Sequence, residues 1–180
     1  MMASHVALLR AVNVGGRNLI GMSDLRASFL GLGFTGARTL LQSGNVVFDG
    51  GRRSSAALET LLEGETEKCF RVRVDYMVRT AKEWRETVAG NPFGDEARKD
   101  PSHLVVMFLK QTPRAGAERA LRAAIKGPER VRVAGRHAYI VYPAGIGRSK
   151  LTPALLEREL GARGTGRNWN TILKLGALLA

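Results

Sequence analysis

Two polar, glycine-bearing segments near opposite ends of the chain contain the residue types that bind anions. The first follows an apolar run and contains Arg10, Asn13, Gly15, Gly16 and Arg17. Its glycines permit positive φ and a close approach of backbone N–H groups to a ligand, and its Arg and Asn side chains add donors. The alternative is a wide turn whose Asn side chains bond their own backbone. The segment has no GxGxxG pattern, so it is not a dinucleotide-binding fingerprint.

The second segment enters the last predicted helix and contains Arg167, Asn168, Trp169 and Asn170. Either Asn168 or Asn170 is expected to cap that helix, and Trp169 is expected to pack against the domain. Two Asn residues exceed what one cap requires. The segment is therefore interpreted equally as a structural clamp and as a ligand contact.

A third basic segment is the loop Gly145–Lys150, which precedes a helix that Thr152 is expected to cap. Its glycines, together with Arg148 and Lys150, lie ahead of free helical N–H groups, an arrangement that suits phosphate. The Walker A spacing is absent. The competing interpretations are an ordinary strand-to-helix loop and an anion site without nucleotide hydrolysis.

Asn45 completes the set of candidate ligand-binding residues. It follows Gln42-Ser43-Gly44, a hairpin connection in which Ser43 lacks the flanking glycines of a nucleophile elbow. The three histidines lack metal-ligand spacing, and the acidic residues fall mostly on predicted solvent-facing helix surfaces. We therefore expect no metal and no cofactor, and the pattern assigns no catalytic residue.

The 180-residue chain has a formal net charge of +12, which is unevenly distributed. Residues 1–90 contain 12 basic and 9 acidic groups, for +3, and residues 91–180 contain 16 and 7, for +9. Such an excess suits a nucleic-acid partner. The basic residues are scattered, however, and codon bias towards Arg and Ala explains the same charge. The RNP1 pattern of RNA-binding ferredoxin-like domains is absent.

Hydrophobic periodicity predicts that the chain repeats one α+β pattern. Residues 1–90 are predicted to follow the order βαββαβ and to end in a connecting helix, residues 91–102 to form a polar linker, and residues 103–180 to begin βαββα again. A closing strand is not evident in the second repeat, where the C-terminal helix takes its place. The prediction is two tandem ferredoxin-like (split βαβ) halves with antiparallel sheets plus a C-terminal helix. A single mixed sheet covered by helices is the competing arrangement.

Local signals set individual boundaries. Ser23 and Thr112 are expected to be N-caps, and residues 71–78 alternate as a strand with Tyr76 and Val78 among its inward residues. Thr80 and Glu83 have the spacing of a capping box.

Several segments together resemble domain-of-unknown-function family 1697. The resemblance extends over nearly the whole chain and is carried by Ala7-Leu8-Leu9-Arg10-Ala11-Val12-Asn13-Val14-Gly15-Gly16, Gln42-Ser43-Gly44-Asn45-Val46-Val47-Phe48, Asn91-Pro92-Phe93, Gly147-Arg148-Ser149-Lys150-Leu151 and Arg167-Asn168-Trp169-Asn170-Thr171. Ala11 stands where the family is expected to have Gly. The resemblance implies a soluble bacterial protein of paired ferredoxin-like units. It transfers no catalytic residue, because the family's biochemical role is unassigned.

The cellular setting is inferred from simple features. A single Cys69 excludes a disulfide framework, and the apolar run Val6–Leu9 is too short for the core of a signal peptide. No stretch approaches the roughly 20 apolar residues of a membrane span. We expect a soluble cytoplasmic protein with no membrane partner.

Three functions stay open. The leading hypothesis is a binding module for an anionic, phosphate-containing small molecule or nucleic acid, in which the first segment joins the two later ones at a common cleft. The first alternative is a small enzyme acting on a phosphorylated or carboxylated substrate through Lys150 or Ser149, which needs a neighbouring carboxylate or His. The second alternative is a protein-interaction scaffold. The sequence does not indicate the oligomeric state.

Overall fold

The computed structural model describes residues 4–179 and divides the chain into two compact units. The first unit runs to Ala89 and takes in the chain from Lys174, and the second spans Gly90–Leu173. Each unit contains one four-stranded antiparallel sheet with helices on it. The predicted α+β fold of two ferredoxin-like halves with a C-terminal helix is therefore confirmed.

The sheet of the first unit consists of β1 (His5–Leu9), β2 (Thr35–Thr39), β3 (Asn45–Asp49) and β4 (Tyr76–Thr80). The helices of this part of the chain are α1 (Met22–Gly31), α2 (Ser55–Phe70) and α3 (Ala81–Ala89). The strand order is β2-β3-β1-β4, with β1 paired to both β3 and β4. Two crossovers carrying α1 and α2 thus produce the split βαβ arrangement.

The elements after Ala89 are α4 (Gly94–Lys99), β5 (Leu104–Leu109), α5 (Ala117–Ala124), β6 (Arg130–Ala134), β7 (His137–Val141), a 3₁₀ helix (Ile146–Arg148), α6 (Pro153–Leu160), β8 (Gly164–Asn168) and α7 (Trp169–Leu178). The strand order is β6-β7-β5-β8, which repeats that of the first unit. Strands β6 and β8 are the edges of this sheet.

The second repeat does have a closing strand, β8, so the prediction that the C-terminal helix takes its place is wrong. Strand β8 reads Gly-Thr-Gly-Arg-Asn and contains no large apolar residue. Neither alternation nor apolar enrichment marks such a segment. Its extended form comes from pairing with the fully buried β5, which is a tertiary effect.

The segment 91–102, predicted as a polar linker, contains the helix α4. The first turn of α4 has Asp95 and Glu96, and its last turn has Arg98 and Lys99. Acidic residues at the start and basic residues at the end of a helix complement its dipole, and this charge order favours the helix.

Three further boundaries were predicted wrongly. Strand β4 starts at Tyr76 and not at residue 71, because Arg71 takes a positive φ of 59° at the end of α2. Helices α1 and α5 follow Gly21 and Gly116, so neither Ser23 nor Thr112 is the N-cap.

Each sheet buries one face beneath its own helices. In the first unit this core includes Leu25 and Phe29 of α1, Leu58 and Leu62 of α2, and Tyr76 and Val78 of β4. In the second unit it includes Leu121 of α5, Leu156 and Leu160 of α6, and Val105, Met107 and Ile140 of the sheet.

Strand registers align the two repeats residue by residue. His5 lies opposite Thr80 in the first unit, and Val105 lies opposite Asn168 in the second. Thr80 and Asn168 each stand directly before a helix, α3 and α7 respectively. The same alignment equates the other residues of the two closing strands: Tyr76 with Gly164, Val78 with Gly166, and Arg79 with Arg167.

Candidate functional site

The first candidate segment is a tight loop that reverses at Gly15 and Gly16. Their φ values of 58° and 72° fit a type I′ turn, closed by a bond of 3.1 Å from the Arg17 N–H to the Val14 carbonyl. A Cβ added at either glycine meets no atom within 4 Å. Positive φ, and not crowding, therefore explains glycine at these two positions.

The Asn side chains of this loop bond to the backbone. Asn13 Nδ2 donates to the Ile20 carbonyl (3.0 Å) and the Gln42 carbonyl (2.8 Å), and its Oδ1 accepts the Ile20 N–H (2.9 Å). Asn18 Nδ2 donates to the Ala11 carbonyl (3.1 Å). These contacts correspond to the turn alternative, in which Asn side chains shape the loop.

The other candidates of the first unit differ in their freedom to meet a ligand. Arg10 Nη1 lies 3.9 Å from Asp75 Oδ2. Asn45 is buried and donates from Nδ2 to the Leu40 carbonyl (2.7 Å), so it holds the hairpin turn. Arg17 is exposed and makes no side-chain hydrogen bond or ion pair within residues 4–179.

The loop Gly145–Lys150 contains the 3₁₀ helix and presents Arg148 and Lys150 to solvent, with no ion pair to another described residue. Ser149 is half-buried, contacts the Glu129 carboxylate through its hydroxyl and accepts the Leu151 N–H (3.0 Å). A carboxylate beside Ser149 is what the enzyme alternative requires, and that alternative stays a prediction.

In the last candidate segment, Arg167 is buried and donates from Nη1 to Thr165 Oγ1 (2.7 Å) and to the Gly166 carbonyl (2.8 Å). Burial lowers the pKa of Arg167 to about 10, so the guanidinium stays protonated at neutral pH. Asn168 caps α7, with its Oδ1 accepting the Thr171 N–H (3.0 Å). Asn170 is exposed.

The candidate residues divide between the units. Arg10, Asn13, Gly15, Gly16, Arg17 and Asn45 belong to the first, and Arg148, Lys150, Arg167, Asn168 and Asn170 belong to the second. A cleft common to both groups therefore stays a prediction. Within the second unit, Asn168 lines one cavity together with Ile146, which comes from the loop that carries Arg148 and Lys150.

A different pocket of the second unit gathers three arginines, and we call it the arginine pocket. It has a volume of about 360 Å³ and lies beside the edge strand β6. Its lining residues are Pro92, Phe93, Arg122, Ile125, Glu129, Arg130, Val131 and Arg132. Arginine side chains on α5 and β6 meet here because α5 packs against β6.

One carboxylate outside the pocket lining positions two of the arginines. Glu118 of α5 accepts the Val133 N–H (2.8 Å) and so is tied to β6. It also pairs with Arg122 at 2.8 Å and with Arg132 at 3.5 Å. Fixing a guanidinium in this way reduces the side-chain entropy that a ligand must overcome.

The third arginine, Arg130, lies against an aromatic ring. Its guanidinium carbon is 5.3 Å from the centre of the Phe93 ring, within the range of a cation–π contact. Arg130 also pairs with Glu96, and this hydrogen bond is the main cause that lowers the pKa of the Glu96 carboxyl.

All three guanidinium groups keep donors for a ligand. Their side chains are 53% (Arg122), 53% (Arg130) and 56% (Arg132) exposed, and the contacts above use one nitrogen atom of each. A guanidinium has five N–H donors in a planar fork that matches carboxylate and phosphate oxygens. The pocket can therefore bind an anion without breaking these contacts.

No sequence motif marks Arg122, Arg130 or Arg132 as ligand-binding residues. Arg130 and Arg132 have the two-residue spacing that places side chains on one side of a strand. Arg122 and Phe93 come from elsewhere in the chain, and only tertiary packing brings them to β6. The available signal was the excess of positive charge in residues 91–180.

Among the described residues, no helix is long and apolar enough to cross a membrane. No group of three or more His, Cys, Asp or Glu side chains in residues 4–179 could hold a metal ion. The arrangement instead offers cationic donors and hydrogen-bonding groups.

Comparison with known proteins gives a family and a fold. The model of a family described as "Protein of unknown function (DUF1697)" matches residues 2–139. No functionally curated protein matches the sequence. The solved structure of the conserved bacterial protein SP0830 from Streptococcus pneumoniae matches 100% of both chains with a TM-score of 0.78 and 19% identity. At that identity the likeness shows the fold alone.

Proposed function

The chain belongs to the DUF1697 family of proteins of unknown function, and we propose that its second unit binds a small phosphate-containing molecule in the arginine pocket. The observation that carries the proposal is the presence of three half-exposed guanidinium groups around one pocket of about 360 Å³. Pockets of this size accommodate small ligands.

The remaining lining supports a ligand larger than a simple inorganic anion. Phe93, Pro92, Ile125 and Val131 add apolar surface to the pocket. A ligand with a phosphate group and a planar or apolar body would use both parts, as nucleotides do when a ring stacks on an aromatic or guanidinium plane. Glu129 is the one carboxylate among the lining residues, and it selects against ligands that carry negative charge at that wall.

The proposed setting is the cytoplasm, where phosphorylated metabolites are abundant and a single cysteine stays reduced. The net charge of +9 in residues 91–180 supports an anionic ligand, whether a small molecule or a nucleic acid. A single-stranded nucleic acid is the larger ligand class, because its phosphates bind the same kind of cationic groups. Its affinity would fall steeply with salt, whereas a defined pocket for one phosphate responds less.

The test is isothermal titration calorimetry with adenosine monophosphate, with adenosine as the uncharged control and inorganic phosphate as the bare anion. Arg130→Gln and Arg132→Gln are each expected to weaken binding of adenosine monophosphate by roughly 10- to 100-fold, because a charge-assisted hydrogen bond contributes about 1.5–3 kcal/mol. The matched control is Arg148→Gln, which removes an exposed arginine of the same unit outside the pocket lining.

The control also separates the pocket from the site predicted from sequence. Loss of binding in Arg148→Gln with full binding in Arg130→Gln would move the site to the loop Gly145–Lys150. No heat with any of the three probes, together with no effect of short oligonucleotides at low salt, would contradict the proposal.

A further inference from the structure

A second cavity of about 370 Å³ lies between the sheet of the second unit and α6, and we call it the edge cavity. Its lining is mostly apolar and consists of Ser102, Val105, Met107, Ile140, Tyr142, Ile146, Pro153, Leu156, Gly164, Gly166 and Asn168. It shares none of these residues with the arginine pocket.

The cavity exists because two features of the first unit are missing in the second. Tyr76 and Val78 of β4 fill the core of the first unit, and the equivalent residues of β8 are Gly164 and Gly166. The helix over this edge is also shorter, since α6 has 8 residues and α2 has 16. Two large side chains of the first unit are therefore missing at β8, and Met107 and Val105 of β5 lie beside the two glycines instead.

The first unit shows what this sheet edge binds. In an antiparallel ladder every second N–H of an edge strand points away from its neighbour. On β4 these donors are taken by carboxylates of α2: Glu63 accepts the Tyr76 N–H and Glu59 accepts the Val78 N–H, both at 2.9 Å. Both acids sit on one face of α2, four residues apart.

In the second unit only the first of these contacts is repeated. Glu157 of α6 accepts the Gly164 N–H at 3.0 Å and so corresponds to Glu63. The residue four positions earlier, which corresponds to Glu59, is Pro153. The outward N–H of Gly166 accordingly has no carboxylate among the described residues, and both Gly166 and Pro153 line the edge cavity.

The cation beside the missing carboxylate is retained. Arg79 donates from Nη1 to the Val78 carbonyl (2.8 Å) and lies 3.9 Å from Glu59 Oε1. Arg167, its equivalent, donates from Nη1 to the Gly166 carbonyl at the same distance of 2.8 Å. The two guanidinium groups thus make the same contact with the carbonyl of the preceding residue, and both side chains are buried.

We propose that the edge cavity binds a small carboxylate with an apolar body, its carboxylate taking at Gly166 the place that the Glu59 side chain takes at Val78 in the first unit. The apolar body lies on Val105, Met107 and Leu156. The inference is independent of the arginine pocket, because it depends on different residues and a different anion.

Two side-chain donors in the lining fit the same ligand. The Tyr142 hydroxyl makes no hydrogen bond with another described residue, and burial, followed by the charge of Glu129, raises the pKa of Tyr142 so that it keeps its proton. Asn168 uses Oδ1 to cap α7, and its Nδ2 is free among residues 4–179. Both groups donate, which favours a ligand rich in acceptors.

The experiment is a titration of the ¹⁵N-labelled full chain with octanoate, and with octanamide as the uncharged control, followed by the Gly166 amide resonance. Octanoate is expected to shift this resonance saturably, and octanamide to bind at least about tenfold more weakly. Pro153→Glu restores the acid of the first unit and is expected to weaken octanoate binding by about tenfold or more, since two carboxylates cannot share the site. Pro153→Ala removes the same proline without adding charge and is expected to bind as the unmodified chain does.

Equal affinity of Pro153→Glu and Pro153→Ala, or equal binding of octanoate and octanamide, would overturn the proposal. Tyr142→Phe gives a second measurement if Pro153→Glu perturbs the fold, and it is expected to weaken octanoate binding several-fold. An unchanged Gly166 resonance at saturating octanoate would also overturn it. None of these outcomes alters the binding of adenosine monophosphate, so the two proposals fail separately.

Discussion

The two units have the same strand order but differ at the sheet edge formed by the closing strand. In the first, the closing strand β4 is sealed by the long helix α2, by Tyr76 and Val78, and by the carboxylates of Glu59 and Glu63. In the second, β8 has glycines at these positions and a helix half as long. The same sheet edge thus forms part of a filled core in the first unit and borders a cavity in the second, and we propose that this cavity is a ligand site.

The largest loss of stability is expected for Tyr76→Gly, which gives β4 the glycine that β8 has at the equivalent position. Tyr76 is fully buried, and its hydroxyl is 2.7 Å from Thr66 Oγ1. Loss of a buried aromatic side chain costs about 3–5 kcal/mol, and glycine in a strand adds to this. Urea unfolding measures the change. Tyr76→Phe, which keeps the ring, should cost only about 1–2 kcal/mol; similar losses for both variants would show that the hydroxyl, and not the filled volume, seals this edge.

The next effect concerns the carboxylate that the second unit lacks. Glu59 and Arg79 are both buried, so Glu59→Ala leaves a cation and the Val78 N–H without their acid and is expected to cost about 3 kcal/mol. Because the variant creates an empty carboxylate position, sodium acetate should restore part of the lost thermal stability relative to sodium chloride of equal ionic strength.

Glu157→Ala is the matched control for this rescue. Glu157 is half-buried and accepts the Gly164 N–H, and the loss of that hydrogen bond is expected to cost about 1 kcal/mol. Stabilisation of Glu59→Ala by acetate that is no larger than that of the unmodified chain would show that the edge does not recognise carboxylates.

Structural features that depend on residues close together in the chain were predictable from the sequence. Thr152 accepts the N–H of Leu155, as the predicted N-cap of α6 does. The inward residues Tyr76 and Val78 are in the core, because alternation reports a buried face directly. Such features need no knowledge of distant parts of the chain.

The remaining features depend on contacts between distant residues. Strand β8 is extended because β5 pairs with it, and the arginine pocket forms because α5 brings Arg122 to β6 and Phe93 lies beside them. The edge cavity follows from a proline and two glycines, which indicate turns when read alone. Their meaning appears only when the two repeats are aligned through their strand registers.

A smaller effect is expected at the helix starts that follow the two closing strands. Thr80 and Glu83 form the predicted capping box, in which each side chain bonds the other residue's N–H, at 3.1 and 2.8 Å. Asn168 caps α7 alone, since the third helical residue there is Thr171. Thr80→Ala and Asn168→Ala should each cost about 1 kcal/mol, measured by urea unfolding. Glu83→Ala should also lower the free energy of unfolding, because it removes the second bond of the capping box. Thr171→Ala removes no such bond, so equal losses of stability in the two variants would remove this difference between the units.

The smallest effect distinguishes the first strands of the two repeats, where His5 corresponds to Val105. His5 is buried, and desolvation lowers its pKa below the ordinary histidine value of 6.5, outweighing the opposing effect of the Asp49 and Glu83 charges. Near pH 6.5 the unfolded chain therefore binds a proton at His5, whereas the folded chain binds it only at lower pH. The free energy of unfolding should thus fall as the pH drops below 6.5. Thermal unfolding between pH 7.5 and 5.5 measures this slope, and His5→Val, which copies the second unit, should flatten it whatever its own stability.

Asp49 cannot produce the same slope, because its pKa is lowered from 3.8 and the carboxyl stays ionised across this range. A slope that is unchanged in His5→Val would assign the pH dependence to other groups and leave the two strands alike in this respect.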